Sequence, residues 1–261
     1  MRMKVQVLVA AMFQESQQLV NKMNLSTDAI IINQSDGYAY EEFLHHGNRI
    51  QFYSMKERGV GLSRNNALLR ADHYISLFSD EDIVYYDQYE QIILQEFGQH
   101  PEADMIVFNF DVNEERMTYY NHKWKRVHLY NCGRYPTFSF AIKTDKVHRK
   151  NITYSLLFGG GARYSNGEDS LFIRECIKKG LKVYASDKVI GKEEGRPSTW
   201  FHGYTKKFFV DRGVLYHYLY GRLALLLSIR FLVKYRAVMC TEIPLKEAFL
   251  YMKQGIREAR F

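Results

Sequence analysis

The chain has 261 residues, 46% hydrophobic and 25% charged, with 20 Tyr and 17 Phe. That length holds one α/β domain of good size plus an appendage, and the apolar share excludes an intrinsically disordered chain. The formal net charge of +7 is uneven: residues 200–261 carry 11 Lys and Arg against 4 Asp and Glu, so all of it belongs to the tail.

Residues 4–11 are a compact apolar run that reads as a first, central strand rather than a signal peptide, because no small-residue cleavage site follows it. No stretch reaches the roughly 18 consecutive apolar residues of a membrane span. Cys132, Cys176 and Cys240 lack metal-ligand spacing and, being three, cannot all pair within one chain. They point to a reducing, cytoplasmic setting.

A helix is expected after the polar Gln14-Glu15-Ser16, and residues 28–33 (DAIIIN) form a second strand that ends in the turn Gln34-Ser35-Asp36-Gly37. Residues 50–53 give a third short strand. Then comes the stretch that organises the chain, residues 58–82. It opens on Gly59-Val60-Gly61, where missing Cβ atoms allow a sharp turn or a close approach. A helix should follow, with Ser63 as its cap and Ala67, Leu68 and Ala71 on an apolar face. Residues 74–78 read as a buried strand, and Asp80-Glu81-Asp82 stand at its end. Three adjacent carboxylates repel one another, so they suit a counter-charge such as Mg²⁺ or Mn²⁺.

Alternation of strands and helices continues, the mark of a largely parallel sheet. Residues 85–97 have helical character, 103–110 and 137–142 read as strands, and 147–151 as a short basic helix or turn. The segment 111–131 reads as a hairpin with Trp124 between Lys123 and Lys125. A second constellation follows: Gly159-Gly160-Gly161, able to form an anion-binding nest, and Glu168-Asp169 opening a helix over 170–179 that Gly180 stops. Acids at a helix start are favoured by the macrodipole, so capping alone would account for them. Residues 181–185 close the series as a strand.

A Gly-x-Gly turn, Arg64-Asn65 on a helix start, an apolar strand and an Asp-x-Asp triplet, in that order, resemble the nucleotide-sugar-binding half of the family-2, GT-A-type, inverting glycosyltransferases. With the second constellation the resemblance spans roughly residues 4–200. It implies a Rossmann-like, mostly parallel mixed sheet flanked by helices, with a catalytic domain over 1–205. It implies a nucleotide-sugar donor, UDP-linked or another nucleoside diphosphate, gripped at the base by Gln34 or Asp36, with Gly61, Arg64, Asn65, Asp80 and Glu81 along the rest. The family's metal-binding Asp aligns with Glu81 or Asp82, Asp82 being preferred, so that Mn²⁺ or Mg²⁺ would be held by Asp82 with Asp80, the latter a ribose or metal contact, and by His202. Asp169 would be the general base, with Gly160, Gly161 and Glu168 on the acceptor side. Two rivals share some features. A sugar-phosphate nucleotidyltransferase would need a basic Gly-rich loop after the first strand, and residues 10–15 contain no Lys or Arg. A non-catalytic sugar-binding scaffold would not need acids at both sites.

The tail, 206–261, changes character. Residues 216–238 lack Pro and read as one long helix with Arg222, Arg230, Lys234 and Arg236 on one side. Pro244 breaks the run, and residues 245–256 form a second amphipathic helix. Such a pair suits the cytoplasmic face of an inner membrane, the alternative being packing on the catalytic domain or a homodimer interface. A tail of this kind points to a glycan or lipid-linked acceptor in cell-envelope or capsular polysaccharide synthesis. No nucleic-acid motif accompanies the charge.

Overall fold

The computed structural model describes residues 4–112, 120–195 and 203–259. Among them ten strands form one mixed sheet flanked by helices, an α/β architecture with a parallel centre. β1 (Val5–Met12) runs parallel to β2 (Asp28–Gln34) on one side and to β5 (Ile75–Asp80) on the other, and β4 (Asn48–Met55) extends the parallel set beyond β2.

The reason is visible in β1, whose alternate side chains are apolar on both faces. Val5, Val7 and Val9 meet Leu19 and Val20 of α1 (Ser16–Lys22) and Ile93 and Phe97 of α3 (Tyr89–Gln99). Leu8 points the other way, into a core with Ala67 and Leu68 of α2 (Val60–Arg70) and Phe172 and Ile173 of α5 (Glu168–Lys178). A strand buried on both faces belongs in the middle of a covered parallel sheet.

Several elements differ from the sequence expectation. β3 (Ala39–His45) is an extra antiparallel edge strand whose side chains are mostly exposed. β6 (Ile83–Tyr85) occupies the start of the expected helix, which begins instead at Tyr89. The expected strand over 137–142 is a 3-10 turn, Thr137–Ser139, followed by β9 (Phe140–Lys143), which inserts antiparallel between β5 and β7 (Met105–Asp111). β10 (Val183–Glu193) follows β7 in parallel through two register shifts, then pairs with β6, as it does earlier with β8 (Lys125–Arg126). Trp124 stacks between His100 and Tyr184, at 3.7 and 4.9 Å, so it is packed rather than presented. α2 starts at Val60 with Gly59 as its N-cap, which places Ser63 within the first turn. The short basic stretch forms α4 (Thr144–Arg149).

The tail is three helices, not two. α6 (Lys206–Tyr220) starts at Thr205, whose hydroxyl accepts from the Phe208 N–H at 3.3 Å. It breaks at the 3-10 turn Gly221–Leu223, and α7 (Ala224–Met239) and α8 (Leu245–Glu258) follow. The break lets Leu219 stay on the main body while Leu232 packs with Phe208, Phe209 and Met252. α6 and α8 cross in backbone contact: a Cβ on Gly213 would strike the Met252 carbonyl, and one on Gly255 the Val210 carbonyl. α6 is also tied to the body. Val214, Leu215 and Leu219 surround Phe158, and the buried Asp211 carboxylate accepts from the Ser165 N–H at 3.0 Å and from Lys207 at 2.6 Å.

Candidate active site

β1, β2, β4 and β5 end along one edge, where the register sets Asp80 beside Ala10, and Gln34 beside Met12 and Met55. Ligands of open α/β sheets collect outside such carboxyl ends. The β5–β6 turn with its acids, the start of α2 and the start of α5 converge there.

Arg64 lies on α2 at the spacing of Ala67, Leu68 and Ala71, the face that turns inward, so its guanidinium is carried into the protein and is only 4% exposed. Burying a cation is costly unless it is paired and hydrogen-bonded. Here it meets three carboxylates. Nη2 donates to both Asp80 oxygens at 2.9 and 3.2 Å, and Nη1 to Glu168 at 3.0 Å and Asp169 at 3.4 Å. The Tyr154 ring covers it, 5.5 Å away. Burial by itself would lower the pKa of Arg64, but Asp80, Asp169 and Glu168 together outweigh it and raise the value.

Asp169 sits in the first turn of α5, where the helix dipole favours a negative charge. Thr137 donates a short hydrogen bond to it, 2.6 Å, in addition to the contact with Arg64. Desolvation by the surrounding protein and the adjacent Glu168 nevertheless hold its pKa well above the ordinary aspartate range, against the lowering pull of Arg64 and Thr137. The carboxylate keeps a solvent-facing edge and is 30% exposed. A carboxylate of raised basicity, reachable from solvent and held at two points, has the chemistry of a general base.

The sequence-predicted residues divide into two groups. Arg64, Asp80, Glu168 and Asp169 form the cluster just described. Gln34 and Asp36 stand further along the edge: the buried Gln34 amide oxygen accepts from the Gly59 N–H at 2.8 Å, and Asp36, 85% exposed on its side chain, pairs with Arg58 at 2.8 Å. Glu81 accepts from the Met12 N–H at 2.6 Å and so anchors the acidic turn to the end of β1. The backbone carbonyl of Asp82 accepts from the Glu194 N–H at 2.7 Å. Gly61 gives room to a neighbouring chain segment, since a Cβ there would lie 2.5 Å from the Ser155 carbonyl oxygen. Asn65 clasps the same segment, donating to the Tyr154 carbonyl at 2.9 Å and accepting from its N–H at 2.7 Å. Gly160 accepts from the Val60 N–H at 2.9 Å and Gly161 lies against Gly59, so the glycine loop rests on the start of α2. His202 lies outside the described residues.

Sequence reasoning passed over several neighbours. Phe13, 58% exposed at the end of β1, carries the Arg58 guanidinium over its ring at 5.1 Å, and Arg58 also donates to the Ser35 carbonyl at 2.6 Å. A large exposed aromatic directly after the first strand was the available signal. Thr137 has none, because a lone Thr at the start of an expected strand carries no pattern. The same holds for Glu193, which lines a cavity of about 210 Å³ with Phe108, Asn109, Tyr135, Pro136 and Phe138. Pro136 and Phe138 flank Thr137, so this space adjoins the Asp169 partner.

No protein-family model matches the sequence. No curated protein matches it either. Solved structures do. S. aureus TarS 1-349 in complex with UDP-GlcNAc superposes with a TM-score of 0.64 at 14% identity, covering 96% of this chain and 79% of that one. The same TarS piece in complex with UDP gives 0.61 at 14% identity, with 98% and 82% covered. Mannosyltransferase PcManGT from Pyrobaculum calidifontis, in complex with GDP-Man and Mn²⁺, gives 0.55 at 11% identity, with 100% and 88% covered. At such identities the likeness is one of fold, and the chain has the GT-A-like α/β fold of these glycosyltransferase structures.

Proposed function

We propose that this chain is a family-2, GT-A-type hexosyltransferase that moves a sugar from a nucleoside-diphosphate donor, UDP-linked, to an acceptor hydroxyl with inversion. The observation that carries the reading is the Arg64 cluster: one buried cation joins Asp80, at the end of β5, to Glu168 and the raised-pKa carboxylate of Asp169 at the start of α5. Donor-side and acceptor-side acids thereby sit within the reach of one guanidinium. The neighbours of the same fold that hold UDP-GlcNAc and GDP-Man support a nucleotide sugar.

In this reading the base of the donor lies between Phe13, Arg58 and Asp36, with Gln34 shaping the turn beneath. Asp169 accepts the proton of the acceptor O–H. The freed oxygen attacks the anomeric carbon from the face opposite the diphosphate, and the bond from that carbon to the diphosphate oxygen breaks with its electron pair going to UDP. The space between Tyr135, Phe138 and Glu193 lies on the sugar and acceptor side in this reading, and Gly160, Gly161 and Glu168 are the proposed acceptor contacts.

The donor set at the β5–β6 turn is hard carboxylate oxygen, which fits Mn²⁺ or Mg²⁺. Among the described residues no group of three His, Cys, Asp or Glu stands close enough to cage a metal alone. Asp82, with Asp80, would share such an ion with the donor phosphates, the pattern in which one or two carboxylates suffice; His202 is the further ligand proposed. Because both Asp80 oxygens already meet Arg64, Asp82 is the principal ligand in this reading and Asp80 a ribose or metal contact. When bound, the ion supplies positive charge beside the leaving diphosphate.

Incubation with a UDP-hexose and Mn²⁺ tests the assignment. Release of UDP with slow formation of free sugar in the absence of acceptor, and faster UDP release with the sugar bound to the acceptor when one is present, is the expected result. Formation of pyrophosphate from UTP and a sugar phosphate would mean a nucleotidyltransferase, and turnover of neither would mean a sugar-binding scaffold.

A further inference from the structure

No helix among the described residues is long and apolar enough to cross a membrane. One helix is nonetheless apolar on both sides. α7 turns Ala224, Ser228 and Leu232, spaced by four, into the tail core. At 3.6 residues per turn, Leu225, Leu226, Ile229 and Val233 then fall on a separate strip, about 100° wide. All four are exposed, Leu226 by 64% and Val233 by 54%. Contiguous apolar surface of this kind marks a contact site.

The charges around the strip say which contact. Arg222 precedes α7, Arg230 and Lys234 lie along one edge of the strip, and Arg236 sits at its C-terminal end, all exposed. Residues 212–241 contain no Asp or Glu. Among the described residues none of these four cations is in an ion pair. A second copy docked face to face would set these cations against their own counterparts with no acid of α7 between them, since a two-fold contact repeats the same patch. An anionic bilayer supplies both complements, acyl chains for the strip and headgroups for the cations.

We infer that α7 is an interfacial membrane anchor, lying along an anionic bilayer surface with Leu225, Leu226, Ile229 and Val233 below the headgroups. This goes beyond the transfer reaction and holds whatever the main body transfers. The anchor is linked to the base-bearing helix, because Leu215 of α6 packs on Gly167 at the start of α5.

Flotation of the full chain with vesicles of phosphatidylcholine alone, or of equal parts phosphatidylcholine and phosphatidylglycerol, tests it. The expected result is binding to the anionic vesicles, at least about tenfold stronger than to the neutral ones and weakened by salt. Leu226→Asp with Val233→Asp should abolish it, and Arg230→Gln with Lys234→Gln should remove most of the anionic preference. Both variants change exposed side chains, and unaltered unfolding curves will show that they fold. Absence of vesicle binding by the parent, or variants that bind as the parent does, would overturn the proposal. So would a dimer in sedimentation that the Leu226→Asp, Val233→Asp variant disperses without any change in vesicle binding.

Discussion

Arg64→Ala is expected to lower the unfolding free energy at neutral pH by about 3 kcal/mol, near the lower end for a broken buried ion pair. The estimate rests on geometry. Removing the guanidinium leaves Asp80, Glu168 and Asp169 facing one another without a cation, but Asp80 and Asp169 each keep a solvent edge that limits the penalty. The loss should shrink as the pH falls. With the cation gone, Asp169 loses the partner that pulls its raised pKa down, so protonating it at lower pH favours the folded form and repulsion fades. Urea denaturation at neutral and mildly acidic pH checks both points. Arg64→Lys should recover only part of the stability, since one ammonium cannot donate along three directions as the planar fork does. Parent-like stability of Arg64→Ala at neutral pH would mean that the guanidinium does not hold the cluster together.

Asp169→Asn should cut sugar transfer by about 10²- to 10⁴-fold, the usual worth of a positioned general base, without loss of stability. The sign follows from the raised pKa. Folded Asp169 holds a proton that the unfolded chain has already released, so ionising it costs stability as the pH rises from the ordinary aspartate range towards the raised value. Asparagine removes that cost while Asp80 and Glu168 still pair Arg64. The parent should show an acidic limb in its turnover whose midpoint lies above the ordinary aspartate range, because the base must be unprotonated to work. A pH profile and a thermal scan of parent and variant measure the two effects. A variant that loses stability along with turnover would mark Asp169 as structural.

Parts of this arrangement were legible and others not, for physical reasons. β1 and β2 announce themselves because a strand covered on both faces must be largely apolar along its length. α8 is marked by Pro244 at its start, and α5 by its first-turn acids and the glycine that follows it. β3 is not marked, because an exposed edge strand owes its shape to pairing with β4 and needs no apolar pattern. The three residues of β6 are likewise held by β10, more than a hundred positions later. The break at Gly221 escaped because glycine alone does not end a helix; the packing of Leu219 and Leu232 on different clusters does. In the site, the order of motifs marked Asp80 and Asp169 as candidates. What it did not show is their common partner. Arg64 sits at the inward spacing of Ala67, Leu68 and Ala71, which already implies burial, yet its acids lie 16, 104 and 105 residues away and meet it only through the fold.

In the proposed site Asp82 and Asp169 serve different partners, donor and acceptor. Calorimetric titration of UDP in the presence and absence of Mn²⁺ tests it most directly, on the parent, Asp82→Ala and Asp169→Asn. The proposed site predicts Mn²⁺-assisted affinity in the parent, its loss in Asp82→Ala, and its retention in Asp169→Asn. A parent protein whose affinity for UDP is the same with and without Mn²⁺, or an Asp82→Ala variant that binds as the parent does, would contradict it.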